Sequence, residues 1–263
     1  MHGLWQRMFH RRAWLSCLLS LSCLVVADEL STSPRLESDM CLERGCMALV
    51  QMRDADGWWG NVRDTSYVLI ALDMVGFEGN LEPLRPVYEN ARKRIRTELE
   101  AGTFRTTPDL AAAIRALSRA PHERAFLRKQ GALLAKMDFS TCSPLELLEI
   151  ADALFLTDSW RIDNAGERLL QALAKADGVP ALACNAMKGI QNLPVIPPAQ
   201  IPPETWVWYA RARLCVPKSD EARWRDPLVV HLLESQAQDG AWGTHDRLRA
   251  TASAIAAIVH ARQ

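Results

Sequence analysis

Aromatic residues other than tryptophan are scarce in this 263-residue chain, with three Tyr and six Phe beside nine Trp. Pleated sheets draw on Tyr, Phe and β-branched side chains, so this shortage, set against abundant Ala and Leu, points to helices. An excess of either charge is also missing, because 31 basic residues balance 31 acidic ones. That balance removes the electrostatic footprint of a nucleic-acid binder, and no nucleic acid is expected as a partner. Long apolar runs are absent too: Ala13 to Val26 spans 14 residues, and nothing later approaches the ~20 that cross a bilayer, so no stable membrane insertion is expected. Cysteine numbers only seven, too few for a disulfide scaffold, so the core must supply most of the stability.

What is present begins with an export signal. Arg7, Arg11 and Arg12 form a positive region, the apolar stretch follows, and Val25-Val26-Ala27 precedes Asp28 as cleavage near Ala27 requires. Residues 1–27 are therefore read as a signal peptide and the protein as secreted or periplasmic. Its removal would leave 236 residues with 28 basic and 31 acidic side chains, a net charge of −3. Five cysteines would remain, Cys41, Cys46, Cys142, Cys184 and Cys215. An odd count in an oxidising compartment leaves one thiol unpaired or joined to another chain. Cys41 and Cys46, five apart on a helix, face different ways and should not bridge. No Cys or His pair has metal-ligand spacing backed by a second pair, so no metal and no cofactor are expected.

Residues 28–38 are polar and read as a disordered lead-in to a single all-α domain over 39–263. Helical patterns cover 39–52, 64–76, 82–99, 108–119, 122–137, 144–156, 160–174, 180–190, 203–214, 221–237 and 247–262. In 144–156, Leu145, Leu148, Ala151 and Phe155 recur at three and four, with Glu146, Glu149 and Asp152 between them. Prolines open three helices, at Thr107-Pro108, Ser143-Pro144 and Gly178-Val179-Pro180, and stand 36 residues apart. Such a fixed period implies stacked helical hairpins. Residues 191–203, with five prolines, interrupt the period and replace one helix by an extended loop.

One turn occurs twice. The first copy carries Gln51, Asp56, Gly57, Trp58, Trp59 and Gly60; the second carries Gln236, Asp239, Gly240, Ala241, Trp242 and Gly243. Each combines a Gln at a helix end, an Asp-Gly turn that accepts positive φ, a Trp and a second Gly before a new helix. The Gln can cap a neighbouring helix, with the Trp face covering its amide.

This pattern resembles the Gln-Trp repeat of the terpenoid cyclase and protein prenyltransferase family, strongly at 41–76 and 224–262 and between them only by helical period. The resemblance implies an α/α toroid of about six hairpins, with 64–76, 108–119, 144–156, 180–190, 203–214 and 247–262 as inner helices and the last-but-one hairpin degenerate. It also shows what is missing. Where squalene-type cyclases carry Asp-x-Asp-Asp, this chain reads Asn61-Val62-Arg63-Asp64-Thr65, and Arg63 beside Asp64 favours an ionised carboxylate. The zinc set of the prenyltransferases and the Cys-x-Glu-Gln of thioester domains are absent as well; Cys46-Met47-Ala48-Leu49 lacks both partners of the latter.

Asp64, Glu149 and Asp152 remain as catalytic candidates, the last two able to act as acid and base on a sugar if they point inward. The plainer reading makes Glu146, Glu149 and Asp152 a solvated helix face. Asp64, Asp109, Glu204 and Asp246 near helix starts read as helix-dipole and capping residues, and His245 beside Asp246 reads as no dyad, since adjacent helical residues diverge. Trp206, Trp208 and Tyr209 form the candidate ligand-binding patch. The expectation is a non-catalytic binding or accessory module taking a hydrophobic small molecule, a peptide or a glycan, with an envelope protein as its partner. An enzyme on a polyprenyl or polysaccharide substrate and an α-solenoid interaction scaffold are the alternatives.

Overall fold

The computed structural model describes residues 32–215 and 221–262; the signal-peptide reading of 1–27 lies outside them. Among the described residues the chain is all α, with eleven α-helices and no strand. They are α1 (Thr32–Gln51), α2 (Val62–Val75), α3 (Arg85–Glu100), α4 (Thr107–Leu117), α5 (Arg124–Leu134), α6 (Pro144–Leu156), α7 (Ala165–Leu173), α8 (Gly178–Met187), α9 (Trp206–Arg213), α10 (Glu221–Ser235) and α11 (Arg247–Ala261). Each expected helix is present. The largest difference is at α1, which starts at Thr32, inside the segment read as a lead-in. Pro34 falls in its first turn, where a missing N–H is harmless and cannot stop the helix.

Two kinds of helix differ by composition. In α4, α6 and α11 the buried positions are nearly continuous: Leu110 to Leu117, Leu147 to Leu154, and Ala250 to Ile258. Alanine-rich surfaces of this kind let helices approach closely on several sides. In α3 only Tyr88, Ala91, Ile95 and Leu99 are buried, a single stripe at spacings of three and four. The contacts follow this division. Helix α2 packs on α4, α4 on α6, α6 on α8, α8 on α9, α9 on α11, and α11 on α2. The stripe-type helices sit across neighbouring pairs: α3 on α2 and α4, α5 on α4 and α6, α7 on α6 and α8, α10 on α9 and α11, α1 on α11 and α2. Between α8 and α9 the chain takes no helix of this second kind, and the proline-rich segment carries only two short 3-10 turns, Pro198–Gln200 and Pro203–Thr205.

Caps set the helix starts. Ser143 and Glu146 form a reciprocal capping box on α6. Asn61 caps α2 through the amides of Arg63 and Asp64, and Asp246 caps α11 through that of Arg249. On α4 the capping hydroxyl is Thr106, one residue before the expected Thr107, whose own hydroxyl donates to the Asp138 carbonyl at 3.0 Å. None of the five described cysteines forms a disulfide.

The two turns share most of their hydrogen bonds. Trp59 Nε1 donates to the Leu49 carbonyl (2.6 Å) and Trp242 Nε1 to that of Leu232 (2.7 Å). The Trp59 and Trp242 amides donate to Thr65 Oγ1 and Thr251 Oγ1. Asp56 accepts from the Trp58 amide and Asp239 from that of Ala241. Gly57, Gly60, Gly240 and Gly243 all have positive φ. The glutamines break the correspondence. This bonding pairs Gln236 with Arg53 rather than Gln51, and Gln51 is exposed. Gln236 Nε2 donates to the carbonyls of Cys41 (2.8 Å) and Gly240 (2.9 Å), tying the last turn to the first helix.

The surroundings of the two turns differ. A Cβ on Gly240 would lie 2.5 Å from the Arg44 carbonyl oxygen, whereas one on Gly57 meets nothing within 4 Å. Gly57→Ala should therefore cost only the positive-φ strain, about 1–2 kcal/mol. Gly240→Ala should cost visibly more in urea unfolding; equal losses would mean that the α1 contact is loose.

Candidate functional site

Charged side chains from α2, α4, α6, α9 and α11 meet in one network. Glu149 is fully buried and Asp152 nearly so, both within the buried run of α6. The expectation of a solvated face for Glu146, Glu149 and Asp152 is thus corrected. The stripe of leucines beside them does not leave them in water, because α6 packs on α4 and α8 as well as on α5 and α7.

Each carboxylate meets an arginine. Arg63 Nη1 donates to Glu146 Oε1 at 2.7 Å and its Nε to Glu149 Oε2 at 3.2 Å. Glu149 Oε1 accepts the Tyr67 hydroxyl at 2.7 Å. Asp152 joins two arginines, Arg115 Nε at 2.9 Å and Arg211 Nη2 at 2.6 Å. Asp64 does not pair with Arg63 as expected. Consecutive helical residues point about 100° apart, so Arg63 turns to α6 while Asp64 meets Arg249 of α11 at 2.5 Å. Asp64 lies in the first turn of α2, where its charge suits the helix dipole, while the cap itself is Asn61, whose side chain also donates to Asp64 at 2.7 Å.

The arginines alternate with aromatic rings. Arg249 and Arg115 lie 5.8 and 5.2 Å from the Tyr67 ring centre, and Arg115 and Arg211 lie 5.1 and 4.9 Å from that of Trp208. The order Arg249, Tyr67, Arg115, Trp208, Arg211 is a cation–π stack. Arg115 is buried, and its Nη1 has no hydrogen-bond acceptor.

Protonation follows from these contacts. Burial alone would raise the Asp152 carboxyl, but Arg211 and Arg115 outweigh it and hold the group well below the usual carboxylate range. Burial, with Glu149 adding to it, pushes the Tyr67 hydroxyl above its ordinary value. Glu146 is opposed by burial too, yet the Ser143 amide and hydroxyl together with Arg63 lower it. Four arginines face Asp64, Glu146, Glu149 and Asp152, with Asp246 at the rim 3.6 Å from Arg249, and neither the Asp152 nor the Glu146 carboxyl is a proton donor at neutral pH.

The aromatic patch divides. Trp208 belongs to this network. Trp206 instead meets His231 of α10 edge-on, with ring centres 5.9 Å apart, and Tyr209 meets Trp224 of α10 at 6.4 Å. All three are buried. Sequence reading missed Arg63, Tyr67, Arg115, Arg211 and Arg249 as one group. The signal lay in arginines placed on otherwise apolar helices, as in Leu110-Ala111-Ala112-Ala113-Ile114-Arg115. Among the described residues no group of three or more His, Cys, Asp or Glu is arranged to hold a metal ion. No helix described is long and apolar enough to cross a membrane.

Comparison with protein-family models, with curated proteins and with solved structures returns no match.

Proposed function

We propose that the chain is a non-catalytic binding module of the terpenoid-cyclase-like α/α toroid type, acting as a secreted or periplasmic accessory protein with an envelope partner. The order of helix contacts supports the toroid: six mutually packed helices return to the first, and five others lie across neighbouring pairs. The shared bonding of the two Trp turns supports the family reading.

The observation that carries the binding role is the pairing of every network carboxylate with arginine. Asp64 stands against Arg249 rather than against a second carboxylate, and Asp152 is held ionised. A general acid needs a proton to give, and a charge stabiliser already neutralised has little left for a transition state. Arg63, Asp64, Glu146 and Arg249 are each roughly one-fifth exposed, so this end of the network can exchange its ion pairs for those of a polar ligand. Of the three ligand classes, this lining favours a peptide or a glycan over a hydrophobic small molecule.

The test is equilibrium binding to peptide and oligosaccharide arrays, with native mass spectrometry of protein taken from its own compartment. Wild type should capture a polar ligand, and Arg63→Ala should weaken that binding about tenfold or more, the worth of one charge-assisted hydrogen bond. Retention of a prenyl-type molecule, or turnover of a polyprenyl or polysaccharide substrate, would overturn the reading.

A further inference from the structure

Arg213, the last residue of α9, is 1% exposed, yet it lacks what the other buried arginine has. Arg115 meets Asp152, whereas no carboxylate among the described residues pairs with Arg213. Its Nη1 donates to the Leu193 carbonyl at 2.8 Å. Its Nε and Nη2 are buried and have no acceptor. These two N–H groups form one edge of the guanidinium, the side-on fork that takes two oxygens of a carboxylate or phosphate in parallel. A neutral carbonyl does not compensate a buried cation, and an unpaired charge in this setting is strongly disfavoured.

The face around Arg213 is rich in donors. Trp206 lies seven residues earlier, two turns along the same side of α9, and its Nε1 is likewise buried without an acceptor. Tyr209, between them, has its hydroxyl near the backbone of Ile196 and the Arg213 charge. The segment carrying Leu193 and Ile196 contains Pro194, Pro197 and Pro198, which have no backbone N–H, so the donors named at this site are those of α9. Its few internal backbone bonds, such as Leu193 to Gln191 and Gln200 to Pro197, leave it held mainly by packing, the kind of segment that opens locally.

We propose that Arg213 is an oxyanion-binding site between α9 and the proline-rich segment, taking a carboxylate or phosphate group side-on through Nε and Nη2. It lies on the face of α9 that turns to α10, and it does not depend on the interior network binding anything.

The experiment is thermal unfolding of the full chain in inorganic phosphate, in acetate and in chloride at matched ionic strength. At about a hundred times Kd the effective anion should raise Tm by roughly 5–10 °C over chloride. A response to phosphate alone assigns a phosphate ligand, and one to acetate alone a carboxylate ligand. Arg213→Met should lose the response and be no less stable in chloride, because it removes a buried charge that no carboxylate among the described residues pairs. Arg213→Lys keeps the charge without the fork and should bind at least about tenfold more weakly. Arg128→Ala, at an exposed arginine of α5, should respond as wild type does. If neither anion raises the wild-type Tm, or if Arg213→Met responds equally, there is no such site.

Discussion

Asp152→Asn should destabilise the protein by about 3–5 kcal/mol in urea unfolding, because it leaves two arginines facing one neutral amide in a dry setting. Asp152 gives one oxygen to Arg115 of α4 and the other to Arg211 of α9. Asparagine preserves the shape but offers a single acceptor and turns an NH2 group toward the second guanidinium. The same junction governs acid stability. The Asp152 carboxyl is held lower in the folded chain than in the unfolded one. Its contribution is therefore fully present above the unfolded value of about 3.9 and is lost as pH falls below it toward the folded value. Wild type should lose stability through this group from about pH 4 downward, and Asp152→Asn should lose less over the same interval. A destabilisation no larger than that of a surface substitution, about 0.5 kcal/mol, would show that the junction does not hold these helices together.

Trp242→Ala should cost about 3–5 kcal/mol, the range for emptying a large buried aromatic site. The indole is fully buried, and a Cβ on Gly45 of α1 would lie 2.7 Å from its ring. Trp242→Phe should cost about 1–3 kcal/mol, since it keeps most of the volume but removes the indole donor and leaves the Leu232 carbonyl only the longer bond from the Ser235 hydroxyl at 3.4 Å. Trp59→Phe likewise removes the indole donor, leaves the Leu49 carbonyl to the Met52 amide at 3.2 Å, and should lose a similar amount. Urea curves with unchanged slopes would locate both effects in the folded state. A neutral Trp242→Phe would show that the indole N–H contributes nothing and that the repeated turn is only a matter of packing.

The turns also show how far a linear pattern carries. Gly57 and Gly240, like Trp59 and Trp242, were identifiable because an Asp-Gly turn and a following Trp obey local rules. The pairing of Gln51 with Gln236 fails because a glutamine is recognised by its partner. Gln236 finds the Cys41 carbonyl, 195 residues away, and that partner is invisible in the local sequence. The carboxylates of α6 fail for a related reason. Glu149 and Asp152 stand beside an apolar stripe, which by periodicity alone reads as an outer face. Only the packing of α6 on α4 and α8 puts that face inside.

Helix positions, the proline starts and the replacement of one helix by a proline-rich segment were set by the sequence itself, because capping, proline geometry and apolar spacing act within a few residues. Tertiary structure alone decided which charges meet: Arg63 with Glu146 and Glu149, Arg249 with Asp64, Arg115 and Arg211 with Asp152, and Arg213 with a carbonyl. A long charged side chain reaches any acceptor within several ångströms of its helix. Its partner therefore depends on which helices the fold brings alongside, and adjacency in the chain does not specify that.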